Sequence, residues 1–291
     1  MESAASLKKD PLLSIVRTEA ASKRVWLVGG VLRNLALGSV AQQDYDFVTA
    51  EPDPGALSAA VAARTRGSSF LLDPETLSYR VAAVFGGSPV TLDFSPVKAD
   101  ILSDLKSRDF TVNSMAVDLG ELLDKDAPVL IDPNNGADDA AKKLLRAVSS
   151  GVFDEDPLRS LRAVRLALQY GLEITGDTLS LMKEKSGLLG RTSAERKRDE
   201  LAAIFSAPGT PWAIRVMYST GMIGEVLPGA AGWTDVEGYG LLDHTLKTLE
   251  AAEEIIRDPG EVFPGFAAEL ERHFAARSGS LETGTVFKLA A

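Results

Sequence analysis

Asp44 and Asp46 flank Tyr45 in the stretch DYDFVTA, residues 44–50. In an extended strand alternate side chains share a face, so both aspartates point one way and Tyr45 the other. Two carboxylates on one face repel unless a cation lies between them. A hard divalent cation such as Mg²⁺ takes oxygen ligands and leaves room for a substrate's phosphates. Just upstream, Gly29 and Gly30 follow the apolar run VWLV and precede Arg33. Glycines let backbone amides approach a phosphate closely, at the start of a helix whose dipole favours anions. Arg33, one turn into that helix, can clamp the same phosphate. A third carboxylate, Asp93 in VTLDFSP, could add a ligand or activate a nucleophile. A glycine turn, an arginine, paired aspartates and a further aspartate together describe two-metal phosphoryl transfer, with Asp44, Asp46 and Asp93 as catalytic residues and Asp44 and Asp46 as metal ligands. GGVLRN is not the G-x-G-x-x-G of a dinucleotide site, and the chain has no Walker A loop.

These residues need short strands and helices to position them. RVWLVGG, DYDFVTA, SSFLLD, YRVAAVFG and PVTLDFS are rich in β-branched and aromatic residues and are bounded by Gly, Pro, Asp and Ser, so they read as strands. Helices are expected at about 31–38 and 54–65. LIDPNNGADD, residues 130–139, is a turn-rich boundary, after which the pattern turns helical. DPLRSLRAVRLALQYG places apolar residues at 158, 161, 164, 166 and 168, with Gly171 as a stop. In SAERKRDELAAIFSAP, Ser193 is the candidate N-cap and Arg196 stands where a capping box wants Glu. The expected fold class is α+β.

The length of 291 residues suits roughly two domains. There are no cysteines, which excludes disulfides and thiolate metal sites. No apolar run approaches the ~18 residues of a membrane span. The opening residues show no signal-peptide pattern, so the cytoplasm is the expected compartment. The net charge of -10 argues against nucleic acid as a partner of the chain as a whole. Between Asp139 and Glu200, however, 12 Lys/Arg face 10 Asp/Glu, a balance of +2 that leaves -12 for the remainder. Any RNA surface is expected in this middle stretch.

The order of these motifs resembles the polymerase-beta-like nucleotidyltransferases of the class II tRNA nucleotidyltransferase and bacterial poly(A) polymerase type. LVGGVLRNLALG with DYDFVT is similar to that family's G-G-x-x-R-D and D-x-D signature, with Asn34 where Asp is usual. SRDFTVNSMAVD resembles R-R-D-F-T-x-N-A, FDEDPLRSLRAVRLALQYGLEI the E-D-x-x-R segment, and ERKRDEL the E-R-x-x-x-E segment. The resemblance covers about residues 24–205. It implies a nucleotidyltransferase head with a small mixed sheet at 24–138 behind an N-terminal extension (1–23). A helical neck (139–206) and a helical body (207–291) would follow.

The resemblance further implies a Mg²⁺-dependent, template-independent enzyme. It would add C, or C and A, to the 3′ end of tRNA from CTP and ATP, with release of pyrophosphate. Gly29, Gly30, Arg33, Arg108, Asp109 and Asn113 would hold the nucleotide's triphosphate and ribose. Asp156 and Arg159, three residues apart and so neighbours on a helix face, would act as a protein template for the base. Arg162 and Arg165 would extend a basic ridge, or simply line a solvated face. Glu195 and Arg196 would brace the pocket by ion pairs. The short segment between Asp93 and Arg108 resembles the CC-adding branch. GYGLLDHTLKTLEAAEEI, residues 238–255, resembles the start of a His-Asp phosphohydrolase-type domain, and a truncated domain of that type or a missing C-terminal RNA-binding part are the two expectations this raises. With His244 and His273 as the two histidines and no His-Asp dipeptide, no hydrolase activity is expected and His244 is read as a helix-face residue. Poly(A) polymerase, an A-adding enzyme, a catalytically dead RNA-binding protein and an antibiotic-modifying nucleotidyltransferase are the alternatives.

Overall fold

The computed structural model describes residues 7–21, 23–38, 44–50, 53–230 and 240–291. The first residues of the expected N-terminal extension, part of the expected body and the first two residues of the 238–255 segment lie outside them. The chain divides after Ser149 into two compact units.

The first unit is built on seven strands: β1 (Val25–Val28), β2 (Asp44–Thr49), β3 (Ser68–Asp73), β4 (Ser78–Phe85), β5 (Ser88–Pro96), β6 (Ala116–Asp118) and β7 (Leu130–Ile131). They form one sheet in the order β3-β4-β5-β2-β1-β6-β7. The sheet is mixed: β2 and β5 run parallel and the other pairs antiparallel. Helices α1 (Pro11–Ala20), α2 (Gly30–Ala36), α3 (Pro54–Thr65) and α4 (Ile101–Lys106) complete the part that matters for the site. Asp10 and Asp53 cap α1 and α3 through side-chain bonds to Leu12 N and Ala56 N, each followed by a proline in the first turn.

Period-two alternation decides the two faces of the sheet. One face carries Tyr45, Phe47, Val81, Leu92 and Phe94 into a core shared with Leu13 and Val16 of α1 and Leu57 and Val61 of α3. Phe47 and Phe94 stack with ring centroids 5.0 Å apart. The opposite face is covered in part by a second cluster of Trp26, Val28, Val48, Leu105 and Ala116, with Val97 and Ile101 packed on it. Over β3 and β4 that face lies open, with Phe70 46% and Val84 69% exposed. Helix α1 falls in the expected extension, and its Leu12, Leu13 and Val16 are core residues.

The second unit is helical, with α5 (Val152–Glu155), α6 (Arg159–Tyr170), α7 (Ala194–Ser206), α8 (Thr210–Ser219), α9 (Leu241–Arg257) and α10 (Thr283–Ala290) as its main reference points. Leu161, Val164 and Ala167 bury one face of α6, and Gly171 ends it in the left-handed conformation at φ +61. Ser193 accepts from Arg196 N at the start of α7, as its position suggests. A two-residue pairing of Arg277–Ser278 with Leu281–Glu282 departs from an all-helical body. Lys288 of α10 is buried. Its ammonium donates to Ala207 O at 2.6 Å and Thr210 Oγ1 at 3.0 Å and pairs with Glu253 at 3.3 Å. Glu253 in turn accepts from the N–H groups of Gly209 and Thr210, both at 2.8 Å, at the start of α8. No helix among the described residues is long and apolar enough to cross a membrane.

Phe94 is fully buried and stacked on Phe47, so Phe94→Ala is expected to cost about 3–5 kcal/mol of stability. A urea unfolding midpoint unchanged from wild type would contradict this account of the core.

Candidate active site

The parallel pairing of β2 with β5 sets Asp46 beside Asp93 and Asp44 beside Thr91. Asp44, Asp46 and Asp93 thus share the face that the core does not use. Tyr45 points the other way, as alternation requires, and its hydroxyl donates to Asp10 Oδ2 at 2.5 Å. Burial first, and then the bond to Asp10, push the Tyr45 hydroxyl's pKa well above its ordinary value. The strand between the two aspartates is therefore pinned from its core side.

The three carboxylates are in different surroundings. Asp44 is exposed and accepts from Thr91 Oγ1. Asp93 is held by Arg80 in a two-bond clamp, with Nε to Oδ1 at 2.8 Å and Nη2 to Oδ2 at 2.7 Å. Asp46 is partly buried against the glycine turn. Burial first, then the charges of Asp93 and Asp44, raise its carboxyl above the usual range, while Arg108 and a bond from Gly30 N–H oppose the rise. Gly29 has φ +69, and a Cβ there would stand 3.0 Å from Asp46 Oδ2 and 3.4 Å from Arg108 Nη1. The glycine pair thus admits Asp46's own carboxylate as a close neighbour, and the first helical N–H is already used on it. Helix α2 runs from Gly30 to Ala36, slightly earlier than the expected 31–38.

Two polar networks surround the carboxylates. Arg108 pairs with Asp104 of α4 through Nε at 3.2 Å and Nη2 at 3.1 Å, which leaves Nη1 toward the glycine turn. Arg33 is buried. It donates to Asn113 Oδ1 at 2.7 Å and to Asn34 Oδ1 at 3.1 Å. Asn113 donates onward to Asp109 Oδ1 at 3.0 Å, and Asp109 also accepts from Phe110 N at 2.8 Å. Asp109 is thus turned inward and buried. The turn-rich stretch after β7 packs on this segment: Thr111 Oγ1 donates to Asp139 at 2.7 Å, and a Cβ on Gly136 would meet Thr111 O at 2.0 Å.

In the second unit, Asp156 lies before α6 in an extended conformation (φ -144, ψ 102), not on the helix face shared with Arg159 that three-residue spacing suggests. Pro157 disfavours helical geometry for the residue before it. Asp156 accepts from Leu158 N at 3.2 Å and from Arg196 Nη2 at 2.8 Å. Arg159 donates to Glu155 at 2.9 Å. The expected basic ridge is tied to Glu200, which pairs with Arg165 at 2.7 Å and Arg162 at 3.6 Å. Glu195 is exposed, and its described ion pair is to Arg198 at 3.9 Å. On α7 the carboxylate paired with α6 is thus Glu200, and the cation paired with Asp156 is Arg196. His244 is exposed on α9.

Sequence reasoning singled out neither Arg80, Asp104, Thr91 nor Glu200. Arg80 and Thr91 carried a signal, being polar residues on one face of otherwise apolar strands. So did Asp104, four residues before Arg108. Glu200 was the last position of a quoted motif. No group of three or more His, Cys, Asp or Glu among the described residues is arranged to hold a metal ion, and Asp93 is engaged by Arg80. Asp44 and Asp46 do fit a hard cation: two carboxylates one residue apart on one face of β2, the inner one partly buried.

Residues 25–146 match the family model described as the poly A polymerase head domain, and residues 171–234 the one described as a probable RNA and SrmB-binding site of polymerase A. A CC-adding tRNA nucleotidyltransferase of Geobacter sulfurreducens is 37% identical over 80% of this chain and 50% of its own length. An A-adding tRNA nucleotidyltransferase of Deinococcus radiodurans is 34% identical over 78% of this chain and 49% of its own length. A solved CCA-adding enzyme in complex with ATP superimposes with a TM-score of 0.70 at 25% identity, over 91% of this chain and 63% of that one. The chain spans about half the length of the curated relatives it matches.

A carboxyl whose pKa is raised by folding stabilises the fold when protonated. That contribution is complete below the ordinary value of about 3.9 and is lost as pH rises through the raised value. Asp46→Asn is therefore expected to raise the melting temperature at pH 7, with the gain shrinking as pH falls towards 4. A lower melting temperature at pH 7 would refute this account of a carboxylate destabilised mainly by its burial. Gly29→Ala forces a side chain into a positive-φ conformation and against Asp46, with a stability loss of about 1–3 kcal/mol. The same change is expected to weaken Mn²⁺ binding, measured by calorimetry, and unchanged affinity would show that the close approach is incidental.

Proposed function

The chain belongs to the class II tRNA nucleotidyltransferase and bacterial poly(A) polymerase family, and we propose that it adds C, or C and then A, to the 3′ end of tRNA from CTP and ATP. The 3′-hydroxyl oxygen bonds to the α-phosphorus, the bond from that phosphorus to the bridging oxygen breaks, the hydroxyl proton is lost, and pyrophosphate leaves. The observation that carries this reading is the row of Asp44, Asp46 and Asp93 on the sheet face opposite the main core, beside a glycine turn and two held arginines.

Asp44 and Asp46 would hold Mg²⁺, which when bound neutralises phosphate charge and polarises the phosphorus. Arg33, fixed by Asn113 and Asn34, and Arg108, fixed by Asp104, would meet the triphosphate with little side-chain freedom left to lose. Asp109 and Asn113 would meet the ribose. Asp156 would accept from the exocyclic amine of the base, and Arg159 would donate to its ring acceptor. Cytosine and adenine both present an amine beside a ring nitrogen, whereas uracil and guanine present a carbonyl, which would leave the carboxylate unpaired. Arg196, at 2.8 Å, would hold Asp156 in its accepting orientation. A head at 24–138, a neck at 139–206 and a body at 207–291 is the functional division we retain. The segment between Asp93 and Arg108, short and folded into α4, favours the CC-adding branch.

A tRNA transcript lacking its three terminal nucleotides, given Mg²⁺ with CTP, ATP or both, tests this. Two C and no A is the expected product, and Asp44→Ala is expected to lower the rate at least a hundredfold while the protein stays folded. Addition of C then A makes this a CCA-adding enzyme, and long A tails from ATP alone a poly(A) polymerase. No addition by the wild-type chain favours a non-catalytic RNA-binding role. Asp156→Ala is expected to relax the preference for CTP over UTP, and an unchanged preference would refute its template role.

A further inference from the structure

In-line displacement at phosphorus places the attacking and leaving oxygens on opposite sides of the reacting phosphate. In the first unit the groups suited to a triphosphate lie on the β1 side of Asp46. Arg108 reaches the Gly29 turn that follows β1, and Arg33 stands on α2 just beyond it. The attacking strand must then approach from the other side of the carboxylates, where the sheet continues through β5 and β4 to β3.

A single row of paired residues crosses the sheet in that direction: Val28, Asp46, Asp93, Arg80 and Phe70. Neighbouring strands stand about 4.8 Å apart, so Phe70 lies about 10 Å beyond Asp93, within reach of one or two nucleotides. Phe70 is 46% exposed on an edge strand, and Val84, on the same face, is 69% exposed. The cluster that covers this face elsewhere stops at β1, β2, β6 and the segment around α4. Between Phe70 and the carboxylates stands the Arg80 guanidinium. Asp93 engages its Nε and Nη2, and the remaining donors can meet a phosphate.

We propose that this strip seats the 3′-terminal nucleotides of the RNA that is extended, with a base stacked on Phe70 and its phosphate against Arg80. The proposal rests on the nucleotidyl-transfer reading above. Its occupant follows from the chemistry and continuity of the row. An aromatic face accepts any base, a neighbouring guanidinium accepts the backbone phosphate, and the row ends at the carboxylates where the hydroxyl must arrive. Asp93 thereby gains a second role, because its clamp aims Arg80 at the RNA.

The test uses the full chain, a tRNA transcript lacking its three terminal nucleotides, and CTP. Phe70→Ala removes an exposed side chain, so the melting temperature is expected to hold. The KM for the RNA is expected to rise about tenfold, the scale of one lost base stack, with the KM for CTP unchanged and Phe70→Trp restoring the wild-type value. The same transcript ending in 4-thiouridine is expected to crosslink to the peptide that contains Phe70. An unchanged KM for the RNA with crosslinks elsewhere would overturn the proposal. A rise in the KM for CTP alone would put the nucleotide, not the RNA, on the strip and overturn it. Loss of self-association with the RNA KM unchanged would make the strip a protein contact and overturn it as well. If the wild-type chain neither extends nor binds the transcript, the nucleotidyl-transfer reading falls and takes this one with it.

Discussion

Like charges at close range are the constraint around which the first unit is organised. The parallel register of β2 and β5 brings Asp46 and Asp93 side by side, with Asp44 two residues away. Left alone, such a row would push its strands apart or take up protons. Each carboxylate is instead balanced differently. Arg80 clamps Asp93 with two bonds, Thr91 donates to Asp44, and Asp46 leans on Gly30 N–H under the field of Arg108. Burial leads the causes that keep the Asp46 carboxyl above its usual range, and the charges of Asp93 and Asp44 add to it.

The cations around the carboxylates are held by other groups. Arg108 is fixed by Asp104, while Arg33 is fixed by the side-chain amides of Asn113 and Asn34. Neutral amides orient a guanidinium without cancelling its charge, whereas a carboxylate would cancel much of it. Asn34 and Asn113 thus fix the direction of the Arg33 guanidinium from two sides. The second unit makes the opposite choice. There Glu200 takes up both Arg162 and Arg165, and Arg196 takes up Asp156. Arg162, Arg165 and Arg196 are thus oriented by carboxylates rather than left to solvent alone.

The glycine pair shows how one local feature can serve two readings. Gly29 and Gly30 look from the sequence like a cradle for a phosphate. In the fold the same absence of side chains first makes room for Asp46 and Arg108.

Much of this was legible in the residues. Strand alternation put Asp44 and Asp46 on one face and Tyr45 on the other, the apolar spacing of α6 and its glycine stop held, and Ser193 capped α7. These features depend on backbone periodicity and on neighbours within a few positions, which the sequence carries directly. It could not show which distant side chains would meet. Arg80 faces Asp93 because of strand pairing, and Glu200 meets Arg165 because two helices pack. Asp156 left the expected helix face because Pro157 favoured extended backbone and Arg196 supplied a partner forty positions away. The sequence by itself determined the residue types, the alternation and the local caps. Tertiary structure alone decided the charge pairing, since Coulomb and hydrogen-bond energies depend on distances in space that strand register and helix packing set.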